Sequence, residues 1–459
     1  MYRTLLGVLF CLLLAGCTTI SRKIQTAANT TGSGYPAAQA REAELERPLF
    51  VSLSAYKSVQ TRAHQRGDIA IAVAASGGGY RAANLTLGVL LGLEKMHGRG
   101  LKGNLLQEVD YFSSVSGGGF GVGYYLTQLH NHIDNQNDIV NFSLQQNVDA
   151  MLKQDGVVQN PLRADLTEYL FFGSDRGLEL EKKINASLLT TNQGGLKLGD
   201  IFVPAHANQN VQLPYWTTNA TIYQNAATLP FTPDVLTRYQ VTGFYHDNTR
   251  YNLLGQFNQS RYAYDIPVAV GVTASASVPF ALPTTTLLSN GCVTGQCTLQ
   301  LLDGGLSDNL GVYTALSMLM QDKAKIKILL IIDAYKGSSQ PYSKKMTPPE
   351  SVSLFLRVVT ASTDANRAHI KPNINLVARD LLCGRGTSNV VVVYLDLSHY
   401  PQAKKIGTRL SLSSSQQKLL LDIGQELIAN NADIKSLLTQ LNQGQVALGQ
   451  CEQGKRKRA

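Results

Sequence analysis

Charge is scarce in this chain of 459 residues: Asp, Glu, Lys and Arg make up 16% of it. With 44% apolar residues beside that, a disordered chain is excluded and a globular protein with a large core is implied. Basic residues outnumber acidic ones to a net +9, which favours anionic surfaces such as phospholipid head groups. No internal Lys/Arg run is dense enough for a nucleic-acid stripe. The one dense run, Lys455 to Arg458, reads as a solvated tail, so nucleic acid is not expected as a partner. Long apolar runs are missing too: nothing reaches the ~20 residues of a membrane-spanning helix. Cysteines number only six, none spaced with histidines as zinc ligands are, so neither a metal nor a cofactor is expected. There is no internal repeat.

What is present begins at the N-terminus. Arg3 precedes a ten-residue apolar run, Leu5 to Leu14, too short to span a bilayer and suited to a signal-peptide core. It ends in Leu14-Ala15-Gly16-Cys17, which resembles the lipobox of bacterial lipoproteins. That resemblance implies a signal peptide over residues 1–16 and acylation of Cys17. Several acyl chains on one residue anchor stably, where one would be marginal. Thr18, which is not Asp, points toward the outer membrane within the cell envelope. Of the remaining cysteines, Cys292, Cys297, Cys383 and Cys451 form an even set, which in an oxidising compartment suggests two disulfides. Cys292 and Cys297 enclose four residues including Gly295, so a local pair is expected there.

Residues 17–47 are rich in Ala, Thr, Gly, Ser, Gln and Glu and read as a tether, with one frayed helix near Ala38 to Glu46. From Asp68 the pattern changes. Ile69 to Ala75 is wholly apolar between Gly67 and Gly77, as a strand buried on both faces must be. A helix over Ala82 to Met96, a strand over Val109 to Val115 and a helix over Phe120 to Leu129 follow. Residues 130–262, rich in Asn, Gln, Thr and Tyr with a helix at Gly177 to Leu189, read as an insertion covering a cleft. Strands then resume at Leu299 to Leu302, Ile326 to Ile332 and Val390 to Leu395. Helices are expected at Leu310 to Met320, Glu350 to Arg367 and Gln416 to Asn431. Strands alternating with apolar helices imply an α/β fold: helix, mainly parallel sheet and helix in three layers, over residues 48–400. A helical extension with a basic tail follows over 401–459.

Three motifs carry chemistry. Ser76-Gly77-Gly78-Gly79-Tyr80-Arg81 joins a strand to a helix, where glycine N–H groups meet a helix N-terminus and attract a phosphate or a developing oxyanion. The loop lacks the Gly-Lys-Ser/Thr of a P-loop and the spacing of a dinucleotide fingerprint. Ser114-Val115-Ser116-Gly117-Gly118-Gly119 occupies the next strand-to-helix turn and fits a nucleophile elbow, which holds a serine hydroxyl out for attack. Glycines continue to Gly121 and Gly123. Each costs ~1 kcal/mol against alanine in a helix, so close approach of substrate or a neighbouring strand is expected. Leu301-Leu302-Asp303-Gly304-Gly305-Leu306-Ser307-Asp308-Asn309 puts an acid at a strand end beside apolar neighbours that would raise its pKa, as suits a general base.

In this order the three motifs resemble the patatin-like phospholipase family over roughly residues 65 to 335, and Ala274-Ser275-Ala276-Ser277-Val278-Pro279-Phe280 is similar to an Ala/Ser-rich stretch with proline that the family carries. The resemblance implies a patatin-like fold and a Ser116–Asp303 dyad without histidine. It also implies an oxyanion hole from Gly77, Gly78 and Gly79, and cleavage of acyl esters in phospholipid or another lipid. Arg81 matches the family's basic residue, to orient the loop or meet a head-group phosphate. One departure is Ser114 where the family's elbow has glycine; so small a replacement should crowd little. Two rivals stay open. One is an α/β-hydrolase triad of Ser116 with Asp396 and His399, which would leave Asp303 idle. The other is a non-catalytic lipoprotein that binds lipid.

Overall fold

The computed structural model describes residues 68–451, apart from 154–159, 164–175, 203–211, 253–261, 338–350 and scattered one- or two-residue gaps. The expected signal peptide, tether, Cys17 and basic tail lie outside the described residues.

One ten-stranded sheet organises the molecule. Its strands are β1 (Ile69–Ala75), β2 (Tyr111–Val115), β3 (Tyr215–Ile222), β4 (Thr228–Phe231) and β5 (Val241–His246). They continue with β6 (Thr249–Asn252), β7 (Thr285–Cys292), β8 (Gly295–Asp303), β9 (Ile326–Asp333) and β10 (Asn389–Asp396). Spatial order is β10-β9-β1-β2-β3-β8-β7-β5-β6, with β4 beside β3. From β10 to β3 every neighbour is parallel. Beyond β3 every pairing is antiparallel.

The helices that matter here are α1 (Gly79–Glu94), α2 (Gly117–Gln136), α3 (Arg176–Leu188), α4 (Val268–Ser275) and α5 (Val312–Gln321), followed by α6 (Ser351–Leu382), α7 (Ser414–Asn430) and α8 (Ala432–Asn442). Helices flank the sheet: α1 packs with α2 and α7, while α5 packs with α6 and lies on β1, β2 and β9. This is the three-layer α/β arrangement that the alternation of apolar segments implies. β1, paired on both sides and covered on both faces, is buried at all seven positions, which is why its sequence has no polar alternation.

Two stretches differ from expectation. The apparent insertion of residues 130–262 contains β3, which sits in the middle of the sheet between β2 and β8. Its sequence, Tyr-Trp-Thr-Thr-Asn-Ala-Thr-Ile, is polar yet buried throughout, because the flanking strands β2 and β8 satisfy its side chains. The C-terminal extension is part of the core: a Cβ on Gly88 of α1 would lie 2.5 Å from the Leu421 carbonyl of α7, so the helices touch backbone to backbone. Cys383 and Cys451 form a disulfide that ties the end of α6 to the last described residue. Cys297 is disulfide-bonded as well; the side chain of Cys292 lies outside the described set. Among the described residues no helix is long and apolar enough to cross a membrane.

Candidate active site

Register brings the motifs together. Val115, the last residue of β2, pairs with Asn219 of β3, and Asp303, the last of β8, pairs with Ala220. Ser116, one step beyond Val115, is therefore level with Asp303 on the opposite side of β3. β8 runs antiparallel to β3 and ends where β2 ends. The serine and the acid converge from opposite directions.

Ser116 has φ 48°, a left-handed conformation that non-glycine residues rarely hold and that costs on the order of 1–3 kcal/mol. That is the strain expected of a nucleophile elbow. The glycines after it are explained by backbone rather than substrate: a Cβ on Gly117 would lie 2.0 Å from the Gly79 carbonyl, and one on Gly118 2.6 Å from that of Ala75. The first turn of α2 is thus pressed against the Gly-rich loop.

Asp303 is buried, 8% exposed, and Ser116 is equally so. Burial pushes the Asp303 carboxyl up to about 6, against the opposing pull of the Gly305 N–H and the Ser116 hydroxyl. Oδ1 accepts the Gly305 N–H at 2.8 Å. Oδ2 is sealed from solvent and has no partner of regular geometry among the described residues. An imperfect hydrogen bond in the absence of substrate does not count against a candidate base. Asp308, five residues on, shows the contrast. It is also buried and also raised by burial, yet it accepts N–H groups from Leu310, Gly311 and Tyr313 and is used up as a cap for α5.

The Gly-rich loop divides its donors. Gly77 N–H donates to the Asn309 carbonyl at 3.0 Å, so it is not available to an oxyanion, which corrects its expected place in the hole. Gly78 (φ 146°) and Gly79 (φ 59°) keep N–H groups with no partner among the described residues, in conformations that favour glycine. Asn309 also wedges its side chain between the loops: its Oδ1 lies 2.6 Å from a Cβ on Gly77 and 2.7 Å from one on Gly305. Arg81 needs a second correction. Its guanidinium is buried and donates from Nε to the Ala334 carbonyl, from Nη1 to that of Ile406 and from Nη2 to the Thr408 hydroxyl. Burial lowers its pKa to about 10, with Asp333 opposing. It clamps residues 406–408 behind the loop and does not face a head-group phosphate.

Ser114 is more than a tolerated replacement for glycine. It is fully buried, and its Oγ accepts the indole N–H of Trp216 at 2.9 Å. The sequence contains one tryptophan; a buried indole donor needing an acceptor was the available signal.

The histidine rival finds no support in position. His399 is 80% exposed beside Asp396, past the end of β10, three strands from β2, or ~14 Å at ordinary strand spacing. His130 pairs with Asp134 and His132 with Asp138, while His97 and His369 are exposed. Among the described residues no group of three or more His, Cys, Asp or Glu could hold a metal.

The family model for patatin-like phospholipases matches residues 73–316, which takes in the Gly-rich loop, the elbow and the Asp-Gly-Gly turn. The chain belongs to the patatin-like phospholipase family. Among solved structures, the chain is similar to human GIVD cytosolic phospholipase A2 at 11% identity and a TM-score of 0.42, covering 82% of this chain and 60% of that one. The same human enzyme in complex with a methyl γ-linolenyl fluorophosphonate inhibitor and terbium chloride matches at 12% identity and a TM-score of 0.34, over 88% and 62%. The chain thus spans about three-fifths of those proteins. No curated protein matches it.

Proposed function

We propose that this patatin-like phospholipase is a lipid-anchored serine hydrolase that cleaves acyl esters of phospholipids with Ser116 as nucleophile and Asp303 as base. The observation that carries the reading is the partly engaged, burial-raised Asp303 carboxyl level with a strained Ser116 across β3.

In the first step Ser116 Oγ attacks the ester carbonyl and its proton passes to Asp303. The carbonyl oxygen becomes an oxyanion held by the N–H groups of Gly78 and Gly79, at the N-terminal end of α1 where the helix dipole adds to them. Collapse breaks the ester bond, and the departing alcohol oxygen takes the proton from Asp303. Water then attacks the acyl-serine, giving its proton to Asp303, and release of fatty acid returns that proton to Ser116. An acid near pKa 6 is suited to both roles near neutral pH.

The anchor is assigned to Cys17 and the location to the cell envelope, on the outer membrane. The lipobox-like Leu14 to Cys17 and the Cys383–Cys451 disulfide support this, since disulfides persist in oxidising compartments. Cys17→Ser should lose metabolic labelling by fatty acid, and label retained on that variant would remove the anchor from the reading.

Activity is tested with purified protein on mixed phospholipid micelles, following released fatty acid. Ser116→Ala should lower the rate by about 10³-fold or more, and adding Asp303→Asn should lower it little further, because the pair acts as a unit. Release by Ser116→Ala at the parent rate would leave Ser116 a helix cap and give the hydrolysis to another nucleophile, and no release by the parent would leave the chain a lipid-binding protein.

A further inference from the structure

The described part of the Ala/Ser-rich stretch, Ala274–Pro279, has no part in the chemistry above, yet its serines lie between the two reacting residues. It begins at the end of α4, a helix buried at all eight positions. The Ser116 N–H donates to Ser275 Oγ at 2.8 Å, and Ser275 Oγ in turn donates to the Asn219 carbonyl at 2.6 Å. An amide can only donate and a carbonyl can only accept, so the direction of both bonds is fixed and the hydroxyl cannot turn without losing one. The backbone of the same segment holds the acid. Asp303 N–H donates to the Ser277 carbonyl at 2.9 Å, and Gly304 N–H to the Ser275 carbonyl at 3.2 Å.

Asn219 completes the link. Its side-chain Nδ2 donates to the Ser113 hydroxyl and the Ser114 carbonyl, and its Oδ1 accepts from Thr314. Its own carbonyl, besides serving Ser275, would lie 2.0 Å from a Cβ on Gly304. Ser275, Ser277 and Asn219 are at most 1% exposed, so water cannot stand in for a lost partner.

We propose that Ser275 is a positioning residue that clamps the strained nucleophile elbow to the Asp303 turn, setting the distance and alignment between the two reacting side chains. It touches no substrate. This rests on the Ser116–Asp303 reading for its catalytic consequence, but the clamp itself can be tested separately. A left-handed serine persists only where its surroundings over-determine it, and Ser275 supplies the one hydrogen bond shown to its N–H.

The test compares Ser275→Ala with Ser289→Ala, a serine equally buried whose hydroxyl donates to the Tyr239 carbonyl in the antiparallel half of the sheet. Both variants should fold with a lowered Tm. Ser275→Ala should lower kcat on phospholipid micelles by about 10- to 100-fold with KM nearly unchanged, as a displacement of about 1 Å does. It should also move the acid limb of the pH–rate profile upward, since a looser Ser116 no longer helps to hold Asp303 down. Ser275→Thr, which restores the γ-oxygen, should recover most of kcat. Ser289→Ala should lower Tm with kcat retained. Amide hydrogen exchange at Ser116, read by NMR on each folded variant, should quicken at least tenfold in Ser275→Ala alone. If Ser116 exchanges as slowly in Ser275→Ala as in the parent, the clamp does not exist, whatever the activity. If exchange quickens but kcat and the acid limb stay at parent values, Ser275 is structural only. A parent protein without Ser116-dependent hydrolysis would instead fail the dyad, and the exchange result would still decide the clamp.

Discussion

Three strand ends on this sheet each place a buried acid beside a turn, and one of the three lives differently from the other two. At the end of β9, Asp333 is wholly buried, accepts from Arg367 Nε, from the Tyr394 hydroxyl at 2.6 Å and from the Tyr335 N–H at 3.0 Å. Its neighbour Asp396, at the end of β10, receives Lys371 and the Ser398 N–H; burial alone would raise its pKa, and these partners bring it below the usual carboxylate range. Both cations come from α6, and Arg367 stacks on Tyr335 while Lys371 sits over Tyr394. At the end of β8, Asp303 is as deep but has no ion pair among the described residues, only one backbone N–H and the reach of a serine hydroxyl. The acid that faces a cation becomes a fastener for a helix. The acid that faces none keeps a raised pKa and an idle oxygen, which is the state a general base needs.

The sharpest way to break this comparison is to neutralise each acid. Asp333→Asn leaves Arg367, which is 13% exposed, with only its longer contact to Asp396 at 3.5 Å, and breaking a buried pair costs up to about 3–5 kcal/mol; the expected result is a clear drop in Tm. Asp303→Asn should abolish hydrolysis without loss of Tm at pH 8. Its folded pKa of about 6 lies above the unfolded value of 3.8, so the native state binds the proton more tightly. This acid therefore costs nothing below about pH 4, destabilises progressively up to about pH 6, and beyond that imposes a constant penalty on the order of 3 kcal/mol at most. Asp303→Asn should accordingly match the parent's Tm at pH 4 and exceed it at pH 8. An equal Tm at both would mean that Asp303 is neutralised by an unseen partner.

A second measurement sharpens the same contrast through rate. If Asp303 must be ionised to accept the serine proton, kcat/KM should fall tenfold per pH unit below about pH 6. A limb near pH 4 would assign the base to an ordinary exposed carboxyl instead.

The smallest effect concerns Ser114. Restoring the elbow glycine looks harmless from sequence, but Ser114→Gly removes the acceptor of the buried Trp216 indole. An orphaned buried donor costs about 1–3 kcal/mol, so denaturant unfolding should show a loss of that size. A neutral or stabilising result would show that the bond contributes nothing net.

Much of this was legible in the chain because the relevant signals are local. A strand buried on both faces is most easily built from apolar residues, and β1 is apolar throughout; glycines at strand-to-helix turns have to be there when backbone packs on backbone, as at Gly117 and Gly118. Such motifs mark Ser116 and Asp303 as candidates, and it is the resemblance of their order to the patatin-like family that implies a dyad. The helix over Glu350 to Arg367 was legible only in its first half: α6 runs to Leu382 through Pro372, held by Arg367 and Lys371 on the acids of β9 and β10. Helix propensity alone stops at proline; long-range pairing does not.

What residue order could not carry is direction and partnership between distant segments. The apolar run Leu299 to Leu302 reads the same whether its strand lies parallel or antiparallel, and only the hairpin of β7 with β8 turns Asp303 toward the elbow. β3 was hidden in what reads as an insertion, because its Asn and Thr side chains find buried partners more than eighty residues away. Gly77 lost its expected role and Arg81 its expected phosphate for the same reason: Asn309, Ala334 and Ile406 claim their hydrogens from far along the chain. Local chemistry determined which groups could react; the tertiary fold decided which of them were left free to do so, because every buried donor and acceptor must first find its partner.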